Sequence, residues 1–246
     1  MNSSAAEDTP AISVVIPVFN EREALPPLLG EIRSTLSEHN IDYELLVIDD
    51  GSTDGTGAWL DEAVRNVPHW RAVHLRRHAG QSAALLAGFR RARGEVLVTL
   101  DGDGQNPPAE IPRLLAALTD DVDLVVGYRA RRRDSPWRRF QSSVANAVRN
   151  RLTGESVRDV GCSLRAIRSR FVWDLPLIDG MHRFLPTLCR LNGARRVVEL
   201  PVDHRERARG RSKYDMRHRV LRGARDLLGV RWLQRRWLRY EVHRDD

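Results

Sequence analysis

Apolar runs and helical spacings alternate through the first half of the chain. Short runs rich in branched and aromatic residues cover Ile12–Val18, Tyr43–Asp49, Ala72–Leu75, Glu95–Leu100 and Val122–Gly127, and each reads as a strand. Between them, apolar residues recur at helical spacing near Glu23–His39, Gly55–Asn66, Gln81–Arg93 and Ala109–Leu118. Gly94 fits the position just past the third helix, where a left-handed residue is favoured. Strands alternating with helices predict an α/β fold with a mostly parallel central sheet and helices on both faces. Ligands of such sheets bind beyond the carboxyl ends of the strands.

The pattern changes after Tyr128. An arginine-rich loop, "YRARRRDSPWRR", leads into a helix reaching Leu152, and a short segment, "RDVGCSLRAIRS", follows without a strand or helix assignment. Met181–Leu191 reads as a helix, Ala194–Val202 as a strand and "HRERARGRSKY" as a polar basic loop. From Arg219 to Tyr240 helical spacing returns as a basic amphipathic C-terminal helix. One face carries Val220, Ala224, Leu227 and Leu228, then Val230, Leu233 and Trp237 after a break at Gly229. This divides the chain into a disordered N-terminus over residues 1–10, one domain over 11–218 and a tail over 219–246.

Composition changes the picture in one respect. The 246 residues carry a formal net charge of +7, and the basic excess is arginine, concentrated in the second half. Anionic partners are favoured: phosphates, nucleic acid or an anionic membrane. The two cysteines, Cys162 and Cys189, form neither a disulfide framework nor a zinc spacing, which fits a reducing compartment. "MNSSAAEDTP" lacks the apolar core of a signal peptide, and no window approaches the roughly 18 apolar residues of a membrane span. The expected location is cytoplasmic, peripheral on the inner face of the membrane.

Three loops follow strands in the first half: "PVFNERE", "DDGSTDGT" and "LDGDGQNPP". The second alone reads as a turn with Asp54 or Ser52 capping the next helix. The third sets Asp101, Asp103 and Gln105 at alternate positions after an apolar strand. All three fall on one rim of the sheet, and their joint order is more specific than any one of them.

In that order, "SVVIPVFNERE", "YELLVIDDGSTDGT" and "VLVTLDGDGQNPPAEIPRL" resemble glycosyltransferase family 2, which has the GT-A fold. "DVGCSLRAIRSRF", "GMHRFLPTL" and "VVELPVDHRERARGRSKY" resemble its dolichyl-phosphate mannose synthase-like branch, which glycosylates polyprenyl phosphates. The resemblance runs from about Ile12 to Tyr214 and identifies residues 11–218 as a GT-A catalytic domain. It implies that Pro17, Phe19 and Glu21 touch the donor nucleotide, and that Asp49 or Asp50 hydrogen-bonds its base. It makes Asp101 and Asp103 the family's Asp-x-Asp, with Gln105 joining the metal shell. Asp159 resembles an active-site carboxylate of the branch, and Arg207 and Lys213 its phosphate-contacting pair. Phe19 departs from the branch, which often has Tyr there. The absence of a membrane span is a second departure, because many relatives carry C-terminal transmembrane helices.

Elementary chemistry points to the same site. The leaving group of a nucleoside diphosphate sugar is a diphosphate, and a divalent cation, Mg2+ or Mn2+, neutralises it. Hard cations take carboxylate and amide oxygens, which Asp103 and Gln105 supply, and Gly102 and Gly104 give the diphosphate access to the backbone. A phosphate monoester is already ionised near neutral pH, its second pKa being about 6, so a lipid-phosphate acceptor needs positioning more than a general base. His182 and His204 accordingly read as structural or surface residues. Arg207 and Lys213, flanking Gly210, read as a basic clamp on donor or acceptor phosphate.

The function expected is inverting transfer of a sugar from a GDP-mannose or UDP-sugar type donor to a polyprenyl phosphate. The C-terminal helix would meet the membrane surface, a membrane-protein partner or its own domain. An alternative keeps the fold and uses a soluble or glycan hydroxyl as acceptor. A basic nucleic-acid-binding protein leaves the acidic rim unexplained and lacks a recognisable motif. A dehydrogenase is disfavoured, because no G-x-G-x-x-G follows the first strand.

Overall fold

The computed structural model describes residues 9–130, 146–205 and 216–238. Seven strands form one sheet: β1 (Ile12–Val18), β2 (Tyr43–Asp49), β3 (Trp70–His74), β4 (Val96–Thr99), β5 (Leu124–Arg129), β6 (Arg165–Arg168) and β7 (Val197–Val202). Their order across the sheet is β3-β2-β1-β4-β6-β5-β7. All neighbours run parallel except β6, which is antiparallel to both β4 and β5. The helices are α1 (Leu25–Glu38), α2 (Thr56–Val64), α3 (Gln81–Phe89), α4 (Ile111–Ala117), α5 (residues 146–153), α6 (Leu185–Leu191) and α7 (Met216–Arg236).

Alternation along the strands divides the core between the two faces. Val14, Ile16, Leu45 and Val47 pack with Leu29, Ile32, Leu60 and Leu114 of α1, α2 and α4. Val15, Leu46 and Ile48 pack with Leu85, Phe89, Leu185 and Leu188 of α3 and α6. Neighbouring residues of one strand thus point to opposite, equally apolar faces, which is why these strands read as continuous apolar runs.

A polar knot closes the opposite end of the sheet from the expected site. Buried Glu44 accepts from Ser13 Oγ (2.6 Å), the Arg93 amide (2.6 Å) and Arg71 Nη2 (2.7 Å). Gly94 donates its amide to Ser13 Oγ at 2.8 Å. Its role differs from the expected left-handed helix end. Helix α3 stops at Phe89 with Arg90 as its cap, and Gly94 is not among the residues with positive φ. A Cβ there would lie 2.6 Å from the Ile12 carbonyl carbon and the Ser13 nitrogen, so close approach of β1 requires the glycine.

The tail also departs from expectation. Helix α7, described over Met216–Arg236, runs unbroken through Gly229, so the boundary placed at 218/219 falls inside it. It docks on the domain: Val230 is buried, Leu233 packs against the α3/α6 side of the core, and Gln234 Nε2 donates to the Thr153 carbonyl at 2.7 Å. Arg183 pairs with Asp226 at 3.0 Å. Leu228 and Trp232 stand on the outer face, 69% and 60% exposed. No helix among the described residues is long and apolar enough to cross a membrane. The disorder expected for residues 1–10 falls almost wholly outside the described residues, as does most of the arginine-rich loop.

Candidate active site

The parallel register sets Val18 beside Asp49 and Asp49 beside His74, so the carboxyl ends of β1, β2 and β3 share one rim. Asn20 turns the chain after β1 with φ 59°, a left-handed conformation that Asn tolerates. Its amide donates to Ser52 Oγ (2.9 Å), and its side-chain oxygen accepts from the Thr53 amide (2.7 Å). This cross-bracing fixes the loop of Pro17, Phe19 and Glu21 against "DDGSTDGT". Asp54 accepts from the Thr56 amide and hydroxyl at 3.0 and 2.6 Å, bracing the start of α2.

Both carboxylates of the Asp49–Asp50 pair are engaged by the protein itself. Asp49 accepts from the Ser52 amide at 2.9 Å and lies 3.0 Å from His74 Nδ1, whose Nε2 is 3.1 Å from Asp61. Burial opposes protonation of His74, but hydrogen bonds and attraction from Asp49 and Asp61 outweigh it and raise its pKa. Asp50 accepts from the Ala79 and Gly80 amides at 2.7 and 2.8 Å and pairs with His78 Nδ1 at 2.8 Å. The His78 ring stacks on Phe19 with centroids 3.9 Å apart and planes at 24°.

The acidic turn follows β4. Asp101 Oδ1 accepts from Gln81 Nε2 at 2.8 Å, and Asp103 Oδ1 accepts from the Gln105 amide at 3.1 Å. Burial and then the neighbouring Asp103 carboxylate push the Asp101 pKa up to about 6, against lowering by Ser163, Arg165 and Arg129. Gly102 has a packing reason to be glycine: a Cβ there would lie 2.5 Å from Val18 Cγ1. Gly104 has φ +73° with open space around it.

A metal ion fits this turn. Two carboxylates that repel one another gain most from a shared cation, while the Gln105 side chain, expected in the metal shell, donates to the Arg205 carbonyl at 3.3 Å. Among the described residues no three His, Cys, Asp or Glu side chains gather into a metal-binding group. Asp101 and Asp103 are the residues of this turn that would hold a hard cation.

On the other side of β4, Asp159 is buried and grips Arg129 at the end of β5. Arg129 Nε and Nη2 donate to its two oxygens at 2.7 and 2.9 Å, and the Gly161 amide adds a bond at 3.1 Å. Ser163 bridges inward, accepting from Asn106 Nδ2 at 2.8 Å while its carbonyl accepts from Thr99 Oγ1 at 2.6 Å. Arg205 donates its amide to the Gln105 carbonyl at 2.8 Å, so the basic loop starts beside the acidic turn. Arg207 and Lys213 themselves lie outside the described residues.

His182 is a structural histidine, as its sequence context suggested. Burial, then Arg183 and Arg165, lower its pKa to about 3, and Nδ1 meets Ser82 Oγ at 2.9 Å. Both cysteines are free and buried, and burial drives the Cys189 thiol up to about 12. Sequence reading missed the loop after β3, which delivers His78 and Gln81 to the rim, and it missed Arg129, Ser163 and Arg165. "HAGQS" had one usable signal, a glycine just before a helical run, which here takes φ +93°.

The profile of glycosyl transferase family 2 matches residues 13–175. The chain is 42% identical over 204 residues to an undecaprenyl-phosphate 4-deoxy-4-formamido-L-arabinose transferase of Pseudomonas savastanoi, covering 82% of this chain and 60% of that protein. A protein of the same name from Proteus mirabilis is 41% identical over 213 residues, covering 86% and 65%. The chain thus spans about three fifths of the length of these relatives. Among solved structures, a mannosyltransferase from Pyrobaculum calidifontis in complex with GDP-Man and Mn2+ superposes with a TM-score of 0.61 at 18% identity, covering 95% of this chain and 66% of that one. Glucosyl-3-phosphoglycerate synthase from Mycobacterium tuberculosis, with Mn2+, UDP-glucose and phosphoglyceric acid, gives 0.65 at 22%, covering 92% and 79%. The fold is that of GT-A glycosyltransferases.

Proposed function

Because this chain belongs to glycosyltransferase family 2, we propose that it transfers a sugar from a nucleoside diphosphate sugar to a polyprenyl phosphate, with inversion at the anomeric carbon. The observation that carries the reading is the Asp101–Asp103 pair at the end of β4, flanked by Arg129 and by the root of the basic loop at Arg205. An acidic turn set among cations is the arrangement that a metal-bridged, doubly anionic donor needs. The undecaprenyl-phosphate transferases at 42% and 41% identity support a lipid phosphate over a hydroxyl as acceptor.

Asp101 and Asp103 would hold Mg2+ or Mn2+, with Gln105 beside them, and the ion would supply Lewis-acid neutralisation of the leaving diphosphate. The chain's own residues do the rest. Pro17, Phe19 and Glu21 line the nucleotide end, with Gly102 where the turn passes Val18. Asp49 and Asp50 act there through the loops they brace. Arg129 presents a planar guanidinium suited to a phosphate monoester, and Asp159 orients it through a two-point fork. Asp159 is thereby a positioning residue and not a base. An acceptor phosphate that is already ionised needs no proton removed before attack. Arg207 and Lys213 would close over the phosphates from a loop anchored at Gln105. The outer face of α7, with Leu228, Trp232 and flanking arginines, would meet the membrane surface or a membrane-protein partner. The enzyme would work on the cytoplasmic face without nucleic acid.

The test is a panel of labelled UDP- and GDP-sugars offered with polyprenyl phosphate, or with phosphoglyceric acid, and scored for product. Lipid-extractable label from one donor is the expected result. Label only in the aqueous product would move the chain to the soluble-acceptor reading, and no transfer from any donor would overturn both.

A further inference from the structure

Helix α3 begins at Gln81, and the backbone at that point is pinned from both sides. Ahead of it, the Ala79 and Gly80 amides donate to the two oxygens of buried Asp50 at 2.7 and 2.8 Å. Behind it, the Gly80 carbonyl accepts from the Ala83 and Ala84 amides at 3.0 and 3.2 Å. The next residue, Ser82, is buried and meets His182 Nδ1 at 2.9 Å. Leu85 and Phe89 then seat the helix in the core. A side chain leaving Gln81 therefore starts from a fixed base.

That side chain reaches the end of β4, where Nε2 donates to Asp101 Oδ1 at 2.8 Å. The Asp101 backbone is itself held. Leu100 before it is fully buried, and Gly102 after it passes so close to Val18 that a Cβ would lie 2.5 Å from Cγ1. What the backbone leaves free is the rotation of the carboxylate, and the Gln81 bond fixes that. The chemistry of the donor is also suited to the place. A neutral amide orients a carboxylate without cancelling its charge, whereas a lysine or arginine there would compete with an incoming cation.

We propose that Gln81 is a positioning residue of the metal site, holding the Asp101 carboxylate in the orientation that a small divalent cation requires. This rests on the Asp101–Asp103 metal reading above and adds the residue that orients it. Asp50 contributes through the backbone it anchors just before Gln81. Partners that orient a metal ligand in this way typically contribute tenfold or more to metal affinity.

The experiment titrates Mn2+ into the full chain, reads the free ion by electron paramagnetic resonance, and repeats the titration with Mg2+ or Ca2+ as competitor. Gln81→Met keeps the length and helix propensity of the side chain and removes the donor. Gln81→Asn keeps the amide and shortens its reach. Both should weaken Mn2+ binding about tenfold or more and leave Tm unchanged. Mg2+ demands near-octahedral geometry and should lose as much, while Ca2+ accepts more varied geometry and should lose less. The preference for Mg2+ over Ca2+ should therefore fall. Unchanged Mn2+ affinity in the two variants would overturn the assignment while leaving the Asp101–Asp103 metal reading intact. So would equal losses for Mg2+ and Ca2+, which would mean that the bond supports the fold or the local charge and not the ligand geometry. A wild type that binds no Mn2+ would overturn the metal reading and this assignment together.

Discussion

Replacing Asp159 with alanine removes both oxygens of the fork on Arg129 and the acceptor of the Gly161 amide. The carboxylate is buried, and the guanidinium is only 19% exposed. Truncating one member of a buried ion pair costs about 3–5 kcal/mol, chiefly because the remaining charge is left in a poor solvent. Arg129 retains some contact with water, which favours the lower end, about 3 kcal/mol. For a chain of this length that lowers Tm by roughly 6–12 °C. Asp159→Asn keeps one acceptor for the Gly161 amide and loses the charge, so it should cost less, on the order of 2 kcal/mol. The decisive measurement is a double-mutant cycle in urea with Asp159→Ala, Arg129→Met and the pair together. A coupling of about 2 kcal/mol or more is expected, since the double variant no longer buries an uncompensated charge. Additive single costs, or an Asp159→Ala cost below about 1 kcal/mol, would show that the fork is not what orients Arg129. Asp159 would then need another role in the site.

Asp103→Ala should abolish turnover with Tm unchanged, and EDTA should inactivate the wild type until Mg2+ or Mn2+ is restored; full activity after exhaustive metal removal contradicts the metal assignment. Glu44 carries a pH signature. Burial opposes its ionisation, yet Ser13, the Arg93 amide and Arg71 outweigh burial and hold its pKa below 4.5. A depressed folded pKa gives stability that is present above the unfolded value and lost as pH falls through the folded one. The stability gap between wild type and Glu44→Gln should thus be level from pH 7 to about 5.5 and shrink below about 4.5; a gap that widens with acid refutes the sign. The full chain should sediment with anionic liposomes and be released by salt, at about 1 kcal/mol per basic residue near the surface. Trp232→Asp with Leu228→Asp should weaken sedimentation without lowering Tm. This pair is a cleaner test than truncating the tail, which would uncover Val230 and Leu233. Equal sedimentation of the variant would assign the outer face of α7 to something other than lipid.

Most of the first half was legible because its strands are buried on both faces. β1 and β2 match their expected bounds to the residue, and helices α1 and α2 fall within two or three residues of theirs. Gly94 shows the limit of local reading. A glycine after a helix satisfies either a demand for positive φ or a demand for close approach, and only the neighbouring strand decides between them. The site divides in the same way. Asp49, Asp50, Asp101 and Asp103 announce themselves as acids at strand ends. Arg129 was hidden in an arginine-rich run, and His78 in a loop whose only visible feature was a glycine.

The strand that escaped detection does most to assemble the rim. "RAIR" has arginine at both ends, and nothing local says that Arg165 will be buried with its guanidinium on the His182 and Val160 carbonyls at 2.8 and 3.1 Å. Those acceptors come from other segments, so periodicity could not supply them. The direction of β6 is what matters for function. An antiparallel strand between β4 and β5 begins at the rim where its neighbours end. The residues just before it, Asp159 to Ser163, therefore arrive beside Thr99 and Arg129. Had β6 run parallel, it would have entered at the polar knot of Glu44 and carried Asp159 to the far end of the sheet. The single reversal in an otherwise parallel sheet thus joins the acidic turn of β4 to the arginine of β5, and a donor and a phosphate acceptor would meet across that junction.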